Sequence, residues 1–207
     1  MELNKKDRDY LITHDKMSVK NGLNEKALWG SSNSQIIRFK VLAKLIKEKS
    51  NFSIIDFGAG LTHFYQYLIE NNYQNFQYFA VELNPKFVSY IKNKKPNINI
   101  VHGEISKVIE LNEKFNIDYI VSSGIYNLGK SNDEVSKIFI DEYSTLMNKV
   151  NIGLGANFLS NQSKNKDNKS IYHDPIKIIN LARNNVSEKL NYFHDYLPHD
   201  FTLLMYK

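Results

Sequence analysis

Residues Ile54-Ile55-Asp56-Phe57-Gly58-Ala59-Gly60-Leu61-Thr62-His63 decide how this chain reads. SIIDF (53–57) is a short apolar run that suits a buried strand. Gly58 and Gly60 follow it at once, and HFYQYLIENN (63–72) has the spacing of a helix. Glycines between a strand and a helix let the backbone turn sharply. They also let a ligand come close to the exposed N–H groups of the helix. A nicotinamide fingerprint would place Gly or Ala at residue 63, where the chain has His63. A Walker loop would need Gly-Lys-Ser/Thr, which is absent. The chain instead carries an acid, Asp56, two residues before the first glycine.

Outward from this turn the chain alternates short apolar runs with amphipathic segments. FQYFAVE (76–82), INIVHG (98–103), IDYIVSSG (117–124) and NIGLGANFLS (151–160) read as further strands. Helices are expected from Pro85 to about Asn93, over a short stretch 106–111, over 133–148, and from Pro175 to about Arg183 with Asp174 as cap. A helix is also expected over 33–48, where Ser34 is a candidate cap. NYFHDYL (191–197) and FTLLMYK (201–207) flank Pro198-His199-Asp200 and read as a closing antiparallel hairpin. Strand–helix alternation means parallel strands joined by crossovers, hence an α/β fold. NQSKNKDNKS (161–170) has no aliphatic or aromatic residue and reads as a solvated loop.

Asp56, Gly58 and Gly60 resemble motif I of the class I S-adenosylmethionine-dependent methyltransferases, D/E-x-G-x-G-x-G, with Thr62 in place of the third glycine. The resemblance covers roughly residues 30–207. It implies a Rossmann-like three-layer sandwich whose seven-stranded, mostly parallel sheet ends in an antiparallel strand. It also implies an N-terminal helical cap over residues 1–50 and a cofactor-binding domain over 51–207. S-adenosyl-L-methionine is the implied cofactor, leaving as S-adenosyl-L-homocysteine. Glu82 then takes the place of the ribose acceptor, Leu83 packs on the adenine, and Gly103-Glu104-Ile105 meets the adenine edge. Ser122-Ser123-Gly124-Ile125-Tyr126-Asn127 runs beneath the methionine moiety and faces the acceptor. The implied cofactor set is Arg38, Asp56, Gly58, Gly60, Glu82, Leu83, Glu104, Ile105 and Ser123.

Composition narrows the function classes. The 207 residues suit one domain, and 42% hydrophobic against 24% charged residues allows a packed core. There is no cysteine, so a thiolate metal site, a cysteine nucleophile and a disulfide scaffold are excluded. No apolar run reaches the ~20 residues of a membrane span, and the charged N-terminus has no secretory h-region. A cytoplasmic protein is the expectation. The net charge is +5, and residues 1–50 hold all of it, with 11 Lys+Arg against 6 Asp+Glu. Only 3 of the 27 basic residues are arginine, the usual bidentate reader of bases and phosphates. No nucleic-acid or membrane partner is expected, and the protein is read as a monomer or homodimer.

The acceptor side has fewer signals. A hydroxyl acceptor needs a base to remove its proton, whereas a phosphate oxygen needs only cationic orientation. His194 and His199 flank a tight turn, and with Tyr126 they are the candidate catalytic residues. One histidine is a general base or acceptor ligand, or both are turn residues beside a capping aspartate. His173 reads as exposed and His63 as a helix-surface residue. Histidine spacing supports no metal site. Arg38 holds the methionine carboxylate or an acidic substrate, or else lies on a helix surface. If the N-terminal segment folds over the cofactor, Tyr10, Trp29, Gln35 and Arg38 approach the site.

The N-terminal charge and a textural resemblance to methyltransferases of bacterial surface-polysaccharide biosynthesis lead to one expectation. The reaction is O-methylation of a small anionic acceptor: a nucleotide-linked sugar, a phosphate or a phosphoramidate group, in capsular or surface-polysaccharide biosynthesis. The alternatives are an RNA or protein methyltransferase and a non-catalytic module that retains the fold. The Asn-Pro-Pro-Tyr/Phe tetrad of amino-group methyltransferases is absent after strand four.

Overall fold

A computed structural model describes residues 32–129 and 131–207. Tyr10 and Trp29 lie outside the described residues, as does most of the expected cap. The described chain forms α1 (Ser32–Leu42), a 3-10 turn (Ala43–Leu45), β1 (Ser53–Phe57), α2 (His63–Glu70), β2 (Gln77–Glu82), α3 (Pro85–Lys94) and β3 (Asn99–His102). It continues with α4 (Ile105–Phe115), β4 (Tyr119–Ser123), a 3-10 turn (Ile125–Asn127), α5 (Asn132–Met147), β5 (Gly153–Leu159), α6 (Pro175–Asn185), β6 (Leu190–Leu197) and β7 (Asp200–Tyr206). The strands make one sheet in the order β3-β2-β1-β4-β5-β7-β6. All pairings are parallel except β5 with β7 and β7 with β6. The architecture is Rossmann-like, as the motif order implies.

Two apolar clusters fill the two faces of the sheet. One gathers Val108 of α4, Phe139, Tyr143 and Leu146 of α5, and Ile178 and Ala182 of α6. The other gathers Phe39 and Leu42 of α1, Phe64 and Leu68 of α2, and Phe87, Val88 and Ile91 of α3. The central strands are therefore buried on both sides, and β1 is buried at all five residues. This is why SIIDF reads as a continuous apolar run and not as an alternating one.

Two helices differ from the expectation, while the segment 161–170 is the loop expected, with a part in the site. The first helix is α-helical only to Leu42, not 48, and Ser34 lies inside it and not at its cap. Ile46 is extended at φ −80°, ψ 110°, and packs in the α1-side core, so the chain turns there toward β1. The helix expected at 106–111 runs on to Phe115. Its polar-looking end is held by tertiary contacts: Asn112 donates to Lys149 O at 3.1 Å, and Phe115 stacks on Phe79 at 4.5 Å. The segment 161–170 is mostly exposed, yet Ser163 is buried and Asn165, Asp167 and Ser170 reach the cavity described below.

Helix α1 packs onto the sheet where glycines let it approach. A Cβ on Gly153 would stand 2.6 Å from Met205 O and 3.2 Å from Leu45, and one on Gly155 would stand 3.2 Å from Leu42. Backbone cannot give way as a side chain can. Gly153→Ala should therefore destabilise the fold by about 2 kcal/mol, the usual range for overpacking, and more than Gly155→Ala does. Urea unfolding of the two variants checks the order; equal losses would contradict it.

Candidate active site

The sheet order reverses between β1 and β4, and the carboxyl ends of the strands open there into a cavity of about 610 Å³. Open α/β sheets bind ligands at such a switch point. The turn after β1 forms its floor. Gly58, Gly60 and Thr62 take left-handed backbone at φ 76°, 53° and 60°. Gly58 N–H donates to Val81 O at 2.8 Å, which ties the turn to β2. A Cβ on Gly58 would fall 2.1 Å from Ile125 Cγ2, so the loop after β4 closes directly on this glycine.

Glu82, the last residue of β2, is buried on the cavity wall. Its Oε2 accepts the Gly60 N–H at 2.7 Å and its Oε1 accepts the Asn84 N–H at 2.7 Å. Asn84 in turn caps α3 by accepting from Lys86 N–H at 3.0 Å, with Pro85 in the first turn. One carboxylate thus joins the glycine turn to the start of α3. A carboxylate oxygen carries two lone pairs, so one that accepts an N–H can also accept a ligand hydroxyl.

Asp56 also lines the cavity, and Tyr78 Oη donates to its Oδ2. Burial pushes the Asp56 carboxyl up to about 7, although the tyrosine hydrogen bond favours the charged form. Leu83, Glu104 and Ser123 complete this wall, and Ser123 Oγ is buried with no hydrogen-bond partner among the described residues. The Ile105 side chain is packed in the α4-side core and does not line the cavity.

Arg38 lies on the wall, but its Nε donates to Asp200 Oδ2 at 2.7 Å, and Asp200 is fully buried. His199 lines the cavity with Nε2 3.4 Å from the same Asp200 oxygen. His194 stands elsewhere. It lies on the edge strand β6, within hydrogen-bond distance of Tyr192 Oη (2.9 Å) and with its ring near Phe201, and it does not line the cavity. The five-residue spacing spans the β6–β7 turn, so the two histidines are not brought together. Tyr126 borders the cavity, but its hydroxyl donates to Glu142 Oε2 at 2.8 Å and its ring packs among Phe139, Tyr143 and Phe158. Burial holds that phenol well above its ordinary pKa, so it is a fixed donor and not a base.

Further residues complete the site, and two histidines stand otherwise than their sequence positions predict. His63 faces the cavity and is bonded to Gln35 (3.1 Å), in contrast to the helix-surface position its spacing predicts. His173 is 1% exposed, against the expectation of an exposed residue; its Nε2 donates to Tyr126 O at 2.7 Å. Asn157 Oδ1 accepts the Gly124 N–H and Asn127 Oδ1 accepts the Leu159 N–H, both at 2.8 Å, so two asparagines fix the loop after β4. Asp167 accepts from Lys169 N–H, Ser170 N–H and Ser170 Oγ, shaping the loop at the cavity rim.

Among the described residues, the basic side chains of the N-terminal segment reach the cavity only at Arg38. Lys40, Lys44, Lys47 and Lys49 do not line the cavity; Lys44 sits over the Phe193 ring and Lys49 over Tyr73. The described wall carries Asp56, Glu82, Glu104, Glu142 and Asp167. No helix among the described residues is long and apolar enough to cross a membrane.

The sequence matches no protein-family model and no curated protein. Solved structures do match over nearly the whole chain. Magnesium protoporphyrin IX methyltransferase from Synechocystis PCC 6803, crystallised with S-adenosylhomocysteine, superposes with a TM-score of 0.63 at 11% identity, covering 97% of each chain. The 1,6-didemethyltoxoflavin-N1-methyltransferase of Burkholderia thailandensis, crystallised with 1,6-didemethyltoxoflavin and S-adenosylhomocysteine, gives 0.61 at 13% identity, over 100% of this chain and 92% of that one. A putative S-adenosylmethionine-dependent methyltransferase from Listeria monocytogenes gives 0.60 at 12% identity, over 84% and 99%. The chain therefore has the fold of the class I S-adenosylmethionine-dependent methyltransferases.

Asp56 has a measurable signature. Its carboxyl titrates near 7 in the fold against an ordinary 3.8, so the folded state binds the extra proton between those values. The contribution of Asp56 to stability is fullest below about pH 4 and is lost as pH rises toward about 7. Glu142, raised by burial to about 7, acts in the same direction. Asp56→Asn should shrink the fall in unfolding free energy between pH 5 and pH 8. An unchanged slope in urea titrations at the two pH values would contradict this.

Proposed function

We propose that the protein is an S-adenosylmethionine-dependent methyltransferase acting on a small molecule. The observation that carries this reading is Glu82: a buried carboxylate at the end of β2, held by Gly60 N–H and Asn84 N–H on the wall of a 610 Å³ cavity. A carboxylate so placed can accept from two vicinal hydroxyls. The apolar side chains of Leu83 and Ile125, also on the wall, suit a flat base. Glu104 suits an exocyclic amino group, and Ser123 Oγ has a hydrogen bond to give. These residues fit S-adenosylmethionine, which when bound supplies the activated methyl group. The protein's own part is to orient the acceptor and exclude water.

On the acceptor side His199 is the proposed general base, with Asp200 beside its Nε2. A base of this kind serves a hydroxyl acceptor. The described residues offer an anionic acceptor of the kind expected from surface-polysaccharide biosynthesis little cationic support. The described N-terminal lysines stand away from the cavity, and Arg38 is already engaged with Asp200. The described wall carries five carboxylates against one arginine, and even with Asp56 and Glu142 raised to about 7 this favours a neutral or cationic acceptor.

Calorimetric titration with S-adenosylhomocysteine tests the cofactor reading. Binding is expected for the wild-type protein, and Glu82→Ala should weaken it at least about tenfold, since it removes a charged acceptor and the Gly60 anchor. No wild-type binding at millimolar ligand would overturn the reading. His199→Ala should leave that binding intact and lower turnover on any hydroxyl acceptor by about a hundredfold. A methyl-transfer panel that works only on phosphorylated acceptors would overturn the neutral-acceptor reading.

A further inference from the structure

The turn that carries Gly60 contains a conflict. Thr62 sits at φ 60°, ψ 35°, a region that β-branched residues rarely adopt, and its side chain is fully buried. It occupies the place where the D/E-x-G-x-G-x-G pattern has a glycine. Such a residue persists only when its surroundings hold it. The holding groups are visible. Thr62 N–H donates to Ala59 O at 2.8 Å, and Thr62 Oγ1 donates to Leu61 O at 2.6 Å. From the end of α3, Lys95 Nζ reaches across to Leu61 O at 3.1 Å and to Thr62 Oγ1 at 3.2 Å.

We infer that Lys95 is a positioning residue for the cofactor turn, doing through Thr62 and Leu61 what a third glycine does by its own conformational freedom. This rests on the methyltransferase reading above. The path is short. Lys95 holds the Leu61 carbonyl and the Thr62 hydroxyl, which keeps Thr62 left-handed. Gly60, two residues earlier, then presents its N–H to Glu82 at 2.7 Å. Without the ammonium, the turn loses this cationic donor, and Thr62 relaxes toward right-handed backbone, where it is unstrained. The Ala59–Gly60 peptide, which carries the Gly60 N–H, then turns away from Glu82, and the ribose site loses its shape. The main chain of Lys95 is fixed independently, by Lys95 N–H on Ile91 O and Ile98 N–H on Lys95 O, so truncating the side chain leaves α3 in place. Burial lowers the Lys95 pKa.

The test is a double-mutant cycle read by calorimetric titration with S-adenosylhomocysteine. Lys95→Met should weaken binding about tenfold. Thr62→Gly, which removes the backbone conflict, should bind within about threefold of wild type. Lys95→Met in the Thr62→Gly background should then cost less than about threefold. In turnover assays Lys95→Met should raise KM for S-adenosylmethionine with kcat nearly unchanged, and Lys95→Arg should recover most of the loss. Should Lys95→Met not fold, Lys95→Gln, which keeps donors without the charge, carries the same comparison. Two results would overturn the inference while leaving the methyltransferase reading intact. One is wild-type affinity in both Lys95→Met and Lys95→Gln. The other is an equal loss from Lys95→Met in the wild-type and Thr62→Gly backgrounds. Absence of wild-type binding would instead overturn the methyltransferase reading, and the inference with it.

Discussion

The Glu82 carboxylate is the constraint on which the site depends. Its two oxygens accept N–H groups from opposite sides, Gly60 of the turn after β1 and Asn84 at the start of α3. A buried carboxylate is tolerated only when it is so bonded. The turn exists in this form because Gly58 leaves no room for a Cβ beneath Ile125, and because Thr62 is held left-handed. Three segments far apart in sequence, the β1 turn, the β2 end and the β4 loop, thus share one set of contacts at the switch point of the sheet. The cavity is where they meet, and it follows from their geometry.

The charge distribution makes a second point. A surplus of five positive charges in the first 50 residues invites an anionic substrate. In the fold, the described lysines of that segment stand away from the cavity, some with their ammonium groups over aromatic rings. The cavity wall carries carboxylates, and Arg38 on it is balanced by buried Asp200. Burial raises Asp56 and Glu142 to about 7, so the wall is less charged at neutral pH than its composition states. For the described residues, the net charge of the segment lies mainly on side chains away from the cavity and does not locate the site.

The fold was legible because its central strands are buried on both faces and its helices are not. Continuous apolar runs such as SIIDF stand out against amphipathic neighbours, and Asp174 and Pro85 mark helix starts by local chemistry. Helix ends were less legible where tertiary contacts set them, as at Asn112 and Phe115 against Lys149 and Phe79. In the site, residues adjacent in sequence to the glycines and strand ends were found: Asp56, Glu82, Glu104 and Ser123 all border the cavity. Others, brought in from distant elements, were not. Glu142 of α5 and Asn157 of β5 carry no local pattern, and His63 reads as a helix-surface residue, whereas Gln35 is expected at the site and lines the cavity. His194 and His199 show the converse, since proximity in sequence across a β-turn sends one side chain to the cavity and the other to the sheet edge.

A crystal structure of the complex with S-adenosylhomocysteine addresses the central claim most directly. The account predicts both ribose hydroxyls within hydrogen-bond distance of the Glu82 carboxylate, the adenine between Leu83 and Ile125, and the Gly60 N–H still on Glu82 Oε2. A ligand seated elsewhere, or a ribose that does not touch Glu82, would contradict it.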